Sequence, residues 1–200
     1  NGRVTGVTAT RKGNHIDYEA DVVIDAAGAL SLLQDKVNFD GTNYDTNVDY
    51  SQFCSAYREV IETDQPVDYD DAIVFKPTQE LGYLWYFPRT DREINAGLGF
   101  QMDQPEMQMV PELKTAVENR GDLVEPTVRD KLGAALPTRR PYDSAVAPGY
   151  IAVGDAAGHV NPTTGGGIPG AAKSAYWATK RAIAAIADGD VSESALWEYN

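Results

Sequence analysis

Cysteine and histidine are both scarce, with a single Cys54 and only two histidines in the sequence. One thiol cannot close an internal disulfide, and it rules out a multi-cysteine zinc site. The histidines, His15 and His159, are too far apart in sequence to suggest a shared metal. We therefore expect no disulfide framework and no metal centre, and we interpret Cys54 as a small apolar residue within a strand.

Long apolar runs are also lacking. No stretch approaches the roughly 20 apolar residues of a membrane span, and the first residues do not have the basic-then-apolar pattern of a signal peptide. Together with the single cysteine, this favours a cytoplasmic protein.

Positive charge is in short supply, because 17 Lys and Arg face 30 Asp and Glu, for a net charge of −13. Such a field repels nucleic-acid phosphates and anionic lipid, so neither nucleic-acid binding nor adhesion through a basic patch is expected. Two interpretations of the acidity stay open. It is either the ordinary surface of a soluble protein or an adaptation to high salt, where screening removes the self-repulsion.

What the chain does have is enough apolar residues, 42%, for a packed core. It begins with Asn1-Gly2, a pair typical of a tight hairpin turn, yet no strand precedes that turn. We therefore expect the sequence to be a piece of a longer protein.

Two continuous apolar runs, residues 22–24 and 150–153, resemble strands buried on both faces, and small residues follow each. They bracket a region of antiparallel character. This predicts an α/β (α+β) fold in which a partial Rossmann-like nucleotide-binding domain, residues 1–30 and 148–200, is interrupted by an antiparallel β-rich substrate domain, residues 31–147.

Alternating and helical patterns predict the individual elements. A small hairpin joins residues 4–10 and 16–18. Strands are expected over residues 51–61, 72–75, 82–88 and 94–100, with the turn RTDRE between the last two. Helices are expected over residues 111–119, 126–135 and 168–187, and Ser192 is expected to cap a last short helix.

The stretch Gly149 to Ile168, GYIAVGDAAGHVNPTTGGGI, consists mostly of small residues between a predicted strand and a predicted helix, and Asp155 is its one carboxylate. A helix N-terminus carries unpaired N–H groups and partial positive charge, and glycines let a bulky ligand touch the backbone. The carboxylate would repel phosphate, so it suits sugar-type hydroxyls. A strand–helix turn without any ligand is the alternative.

The stretch GYLWYFPR is an aromatic strand in which Tyr83, Trp85 and Phe87 share one face. These rings suit the wall of a site for an apolar substrate. The plainer alternative is that they belong to the core of a sheet.

These motifs resemble those of a known family. The Gly-Asp stretch is similar to the second FAD-binding motif of the p-hydroxybenzoate hydroxylase superfamily, and DVVIDAAGA resembles its Asp-Ala-Thr-Gly landmark, with Ala27 in place of threonine. The aromatic strand, INAGLGF and NPTTGGGI resemble the geranylgeranyl reductase family, with Arg89 in place of a lysine. The superfamily's first glycine-rich motif would lie upstream.

The resemblance implies FAD as cofactor and an isoprenoid lipid as substrate, with an external electron donor, either NAD(P)H or a ferredoxin-like protein. The activity implied is reduction of C=C bonds in geranylgeranyl chains of archaeal membrane lipids, with peripheral contact at the inner face of the membrane. Tyr83, Trp85 and Phe87 would bind substrate. The implied cofactor-binding residues are Gly154, Asp155, Ala156, Gly158, Pro162, Gly165, Gly166, Gly167 and Ile168.

Several assignments stay open. An FAD monooxygenase or halogenase of the same fold and a non-catalytic lipid-binding scaffold are the rival functions. The catalytic proton donor is unidentified. His159 is either close to the cofactor or an exposed loop residue, and Arg139 and Arg140 are either head-group ligands or charges paired within the chain.

Overall fold

The computed structural model describes residues 2–31, 33–44, 48–78, 82–103 and 108–200. The chain divides into two compact units, residues 1–48 with 137–200 and residues 49–136. The strands are β1 Gly6–Arg11, β2 Asn14–Glu19, β3 Val23–Asp25, β4 Phe53–Glu62, β5 Val74–Pro77, β6 Gly82–Thr90, β7 Glu93–Gln101, β8 Thr127–Pro137, β9 Val146–Ala147 and β10 Tyr150–Ala152. The α-helices are α1 Met109–Glu118, α2 Ile168–Ala187 and α3 Glu193–Leu196.

The first unit contains a hairpin, β1 with β2, and a three-stranded sheet in the order β3-β10-β9. Strands β3 and β10 are parallel, with Tyr150 opposite Val23, whereas β9 is antiparallel to β10. Helix α2 contributes buried alanines to a core that it shares with residues of this sheet. The shared core contains Val146, Ile151, Val153, Ala178, Ala182, Ala185, Val191 and Leu196.

The prediction that residues 22–24 are buried on both faces is wrong for Ile24, which is 39% exposed. Strand β3 lies at one edge of the three-stranded sheet. Ile24 belongs to none of the hydrophobic core clusters that the described residues form. An apolar run is therefore not by itself proof of burial.

The second unit is a five-stranded antiparallel sheet in the order β5-β6-β7-β4-β8, with α1 packed against one face. Helix α1 buries Leu113 and Val117, which lie four residues apart and so share one side of the helix. They pack with the buried sheet residues Ile61, Tyr86, Ile94, Ala96, Leu98 and Phe100 and with the loop residues Val67 and Leu123.

The helix expected over residues 126–135 is wrong, because this stretch forms β8. Its alanines and its lysine favour a helix locally, but β8 instead extends the sheet along the free edge of β4. Ion pairs cross between the two strands, from Arg58 to Asp130 at 2.6 Å and from Lys131 to Glu59 at 3.5 Å. Tertiary pairing therefore overrides local propensity here.

Other predictions agree more closely. Helix α2 spans the predicted residues, and the Ser192 Oγ accepts a hydrogen bond from the Ala195 N–H at 3.2 Å, as expected of an N-cap. The hairpin turn is shorter than RTDRE, because β6 runs to Thr90 and β7 begins at Glu93.

The mixed α/β fold class is confirmed. No helix within the described residues is long and apolar enough to cross a bilayer. The domain boundaries expected near residues 30 and 147 stay a prediction.

Candidate functional site

The Gly-Asp loop, residues 154–158, begins two residues after β10 as a single turn of 3₁₀ helix. Gly154 has φ +58° and Gly158 has φ +71°, a left-handed conformation that favours glycine. The side chains between them are short, so the backbone of the loop is the part that a ligand can approach.

The loop lies directly on the first turns of α2. The Gly154 N–H donates to the Ser174 Oγ at 3.0 Å. A Cβ on Gly170 would lie 2.2 Å from the backbone oxygen of His159, which no side chain allows. Small residues on the helix are thus required for the loop to pack this closely.

Asp155 is the one charged group of the loop. Its side chain is partly buried, burial raises its pKa, and it makes no side-chain hydrogen bond with the described residues. A Cβ on Gly167 would lie 2.9 Å from the Asp155 Oδ1. The carboxylate therefore lies against the residue that caps the N-terminus of α2, with acceptor capacity to spare.

A triglycine turn, residues 161–167, leads into α2. The Asn161 Oδ1 accepts the N–H groups of Thr163 and Thr164 at 2.9 and 3.2 Å, and the Asn161 backbone oxygen accepts the Gly165 N–H at 2.9 Å. These bonds hold the turn without using the end of the helix. Pro169, the second residue of α2, is compatible with a first turn because its N–H is not needed there.

The nine cofactor residues predicted from the sequence lie in these two adjoining segments but differ in exposure. Gly154, Ala156 and Gly158 are buried, Asp155, Gly165 and Gly167 are partly buried, and Pro162, Gly166 and Ile168 are exposed. Ile168, the first residue of α2, is 85% exposed. The buried members shape the loop, and the exposed ones present a surface.

A hydrogen-bond network behind the loop was not anticipated from the sequence. Asp25 is fully buried at the end of β3 and accepts hydrogen bonds from the hydroxyls of Ser31 and Tyr150, both at 2.6 Å, and from the Ala27 N–H at 2.9 Å. Gln34 then donates to the Ala156 backbone oxygen at 2.7 Å. The network ties the segment after β3 to the Gly-Asp loop.

The two open assignments in this unit are partly resolved. Arg140 pairs with Asp143, as the interpretation of a paired charge expected, and Arg139 is 9% exposed over the Tyr142 ring at 4.5 Å. The interpretation of His159 as an exposed loop residue is wrong, because the ring is partly buried and its Nδ1 is inaccessible. Burial accordingly lowers the pKa of His159.

The second unit carries an aromatic face, which consists of Phe75, Tyr83, Trp85 and Phe87. Tyr83 and Trp85 have ring centroids 5.7 Å apart, and Trp85 and Phe87 stack at 6.1 Å. Phe75, which was not predicted as a site residue, contacts Tyr83 and Phe87 edge-on at 5.4 and 5.3 Å and is 55% exposed. The sequence did point to it indirectly, because residues 72–75 are predicted to form a strand, and that strand, β5, lies next to β6.

The aromatic face is distinct from the core of this unit. Of the alternate residues of β6, Tyr86 is buried in the core beneath α1 and the partly buried Leu84 packs against that core, whereas Tyr83, Trp85 and Phe87 belong to no core cluster of the described residues. Cys54 lies near this face, where a Cβ on Gly99 would be 3.2 Å from its Sγ. Burial raises the pKa of the Cys54 thiol to about 11, and burial also raises the pKa of Tyr83.

The chain is similar in sequence and in fold to known proteins. Digeranylgeranylglycerophospholipid reductase of Sulfolobus acidocaldarius is 37% identical over 150 residues, 72% of this chain and 33% of that protein. The protein of the same name from Methanothrix thermoacetophila is 32% identical over 203 residues, 100% of this chain and 50% of that protein. A geranylgeranyl bacteriochlorophyll reductase-like protein from Thermoplasma acidophilum superimposes with a TM-score of 0.84 at 25% identity, covering 100% of this chain and 50% of that one.

No protein-family model matches the sequence. The parallel pair β3 and β10, the glycine-rich turn into α2 and the antiparallel sheet that comes between them in sequence define the fold class of FAD-binding, geranylgeranyl reductase-like proteins. Within that class, the chain belongs to the geranylgeranyl reductase family. It spans between a third and a half of the length of the relatives named above.

Proposed function

We propose that the protein that contains this chain is an FAD-dependent reductase that saturates C=C bonds in the geranylgeranyl chains of membrane lipids or their precursors. The observation that carries the proposal is Asp155, a partly buried carboxylate without a side-chain hydrogen bond in the described part of the chain, lying against Gly167. Membership of the geranylgeranyl reductase family supports the choice of substrate.

The residues of the first unit fit a flavin nucleotide. A carboxylate of this kind accepts hydrogen bonds from sugar-type hydroxyls, so Asp155 would hold the ribityl chain. The Gly-Asp loop, whose side chains other than Asp155 are short, would lie beside the pyrophosphate, and the N-terminus of α2 favours the negative charge that develops on the ring. When bound, FAD supplies the hydride of the reduction.

The residues of the second unit fit a polyene. The aromatic face supplies apolar surface to which an isoprenoid chain can bind. If proton transfer runs ahead of hydride transfer, positive charge develops on a tertiary carbon. An aromatic ring stabilises a nearby cation by about 0.5–2 kcal/mol, and Trp85 has the ring best suited to this.

The test uses the intact protein, purified and examined for a flavin absorption spectrum. It is then reduced with dithionite and given a geranylgeranyl lipid, and hydrogenated product is measured by mass spectrometry. The proposal expects both a bound, reducible flavin and product with added hydrogen. Oxygen-dependent turnover of a small aromatic substrate would instead indicate a monooxygenase or halogenase, and absence of flavin would indicate a scaffold.

Replacement of Trp85 tests its role in this reaction. Trp85→Leu keeps an apolar residue but removes the π face, and we expect turnover to fall about tenfold, since the ring contributes about 1 kcal/mol or more to the transition state. Flavin absorbance should be unchanged. Trp177→Leu removes a tryptophan of α2 that is 50% exposed and lies outside the aromatic face, so this matched control should leave turnover intact. Full turnover by Trp85→Leu with normal flavin would count against the aromatic face as the substrate site.

We also propose the setting in which the enzyme works. The reductant is an external donor, either NAD(P)H or a ferredoxin-like protein, and the enzyme is cytoplasmic with peripheral contact to the membrane that holds its substrate. Stopped-flow flavin reduction with each donor, and flotation of the protein with lipid vesicles, distinguish these possibilities.

A further inference from the structure

The indole of Trp85 is held by a side chain on the neighbouring strand. Its Nε1–H donates a hydrogen bond of 3.0 Å to the Asn95 Oδ1. In the register of β6 and β7, Trp85 is opposite Gly97 and Phe87 is opposite Asn95. The bond therefore runs diagonally across the pair of strands, a distance that a long aromatic side chain can span.

Gly97 provides the space into which the indole ring fits. A Cβ on Gly97 would lie 2.3 Å from the Trp85 Cζ2 and 2.5 Å from its Cε2. These distances require the six-membered part of the indole to lie over the bare backbone of β7. Any side chain at this position would collide both with this rigid ring system and with the backbone oxygen of Tyr57, 2.7 Å from the Cβ, so the ring would be pushed away from the sheet.

Tyr83 and Phe87 flank the indole along β6. The Tyr83 ring centroid lies 5.7 Å from that of Trp85, and the Phe87 ring plane makes an angle of 28° with that of Trp85. The indole orientation is thus determined by one hydrogen bond, one absent Cβ and two neighbouring rings. Of these determinants, only Tyr83 and Phe87 are among the residues that the proposed function assigns to substrate.

We infer that Asn95 and Gly97 are positioning residues that orient the Trp85 indole toward the substrate. This inference rests on the proposed function, in which Trp85 contacts the isoprenoid chain. A cation–π contact depends on the ring face being presented to the charged carbon, so a rotated indole loses the contact without leaving the site. Asn95 acts through Trp85, and we assign it no contact with substrate.

Two substitutions at Asn95 separate orientation from packing. Asn95→Leu keeps the size of the side chain and removes the acceptor, whereas Asn95→Asp keeps an acceptor at the same place. In the intact protein we expect Asn95→Leu to lower kcat for the isoprenoid substrate about tenfold, with KM changing less than about threefold. Asn95→Asp should restore most of kcat. Gly97→Ala should also lower kcat, because its methyl group displaces the ring.

A double-mutant cycle distinguishes loss of the contact between Trp85 and Asn95 from a general folding defect. Trp85→Phe deletes the N–H donor, so in that background Asn95→Leu should have little further effect on kcat. If the two substitutions reduce kcat independently, or if Asn95→Leu turns over at the parental rate, the inference is wrong. A thermal unfolding midpoint for each variant reports stability separately.

A spectroscopic measurement keeps the test independent of turnover. Near-ultraviolet circular dichroism of the intact protein without substrate should change on Asn95→Leu, and the change should vanish in the Trp85→Phe background. If no reductase activity is found but the dichroism behaves in this way, the proposed function fails while the orientation of Trp85 by Asn95 stands. An unchanged spectrum for Asn95→Leu would overturn the orientation itself.

Discussion

The candidate cofactor site in the first unit is formed mainly by backbone, whereas the candidate substrate site in the second unit is formed by side chains. In the Gly-Asp loop and the triglycine turn, Asp155 is the only side chain for which we propose a polar contact with ligand. On the aromatic face, four rings supply the surface, and Gly97 leaves room for one of them, the indole of Trp85, over the strand.

This difference predicts how each site tolerates change. A backbone site depends on atoms being absent, so one added methyl group can close it. A side-chain site depends on the sum of several apolar contacts, each of modest strength, so it weakens in steps. The carboxylates buried in the two units differ as well, since Asp25 accepts hydrogen bonds from neutral groups, whereas Asp122 in the second unit pairs with Arg120.

Removal of Asp25 should have the largest effect. Asp25→Ala leaves the buried hydroxyls of Ser31 and Tyr150 without their acceptor, and we expect the free energy of unfolding to fall by about 3 kcal/mol or more. Urea denaturation of the intact protein measures this. Asp21→Ala, at an exposed position in the same unit, is the control and should cost little. A loss below about 1 kcal/mol for Asp25→Ala would show that the network does not support the loop.

Addition of one methyl group at Gly167 should have the next largest effect. The Cβ of Gly167→Ala would lie 2.9 Å from the Asp155 Oδ1 and would displace the carboxylate. We expect flavin affinity to fall between about tenfold and a hundredfold, or about 1.4–2.7 kcal/mol. Titration of the apoprotein with FAD, followed by flavin fluorescence, measures this.

The matched control for Gly167 is Gly121→Ala. Nothing lies within 4 Å of a Cβ at Gly121, and its backbone is not in the left-handed region. Flavin affinity should stay at the parental value in that variant. Equal affinity in Gly167→Ala and the parent would contradict the proposed contact between Asp155 and the cofactor.

Loss of the ion pair between Arg120 and Asp122 in the second unit should have the smallest effect on the free energy of unfolding, and this effect should depend on pH. The hydrogen bonds from Arg120 hold the pKa of Asp122 below its ordinary value, and the Asp122 side chain is 6% exposed. The folded state therefore gains stability above the unfolded pKa of about 3.9, and this gain is lost as the pH falls through the lower folded pKa.

We expect Asp122→Asn to reduce the free energy of unfolding by about 1–2 kcal/mol at pH 7, with the difference from the parent shrinking below about pH 4. Asp130→Asn is the control, because Asp130 pairs with Arg58 but is 61% exposed, and such pairs contribute about 0–1 kcal/mol. A difference for Asp122→Asn that stays constant down to pH 2 would exclude the ion pair as its cause.

The sequence predicts features that depend on local pattern. Helix α2 follows from its alanines, and the turn before it follows from its glycines. The shared side of Tyr83, Trp85 and Phe87 follows from the two-residue period of a strand. The helix, the turn and the shared side of the aromatic residues each depend on a few neighbouring residues, so they can be predicted without knowledge of the rest of the fold.

Features that depend on distant residues were missed. Strand β8 forms only because the edge of β4 is available to it. Tyr44 lies in a stretch with the composition of a loop, yet it is 6% exposed and stacks on Phe39 at 4.0 Å. The two hydroxyl groups that donate hydrogen bonds to Asp25 belong to residues 6 and 125 positions away in sequence. None of these contacts has a periodic signal in the sequence, because each is decided by packing.

Pro169 has a consequence for what the N-terminus of α2 can bind. Proline has no N–H, and the Ala171 N–H is already bonded to the Gly167 oxygen at 2.8 Å. Of the four N–H positions that open the helix, from the N-cap Gly167 to Gly170, those of Gly167, Ile168 and Gly170 therefore remain to donate. The positive end of a 20-residue helix thus offers three backbone donors, with a gap at Pro169. An anion that needs four donors cannot be satisfied by this helix end alone.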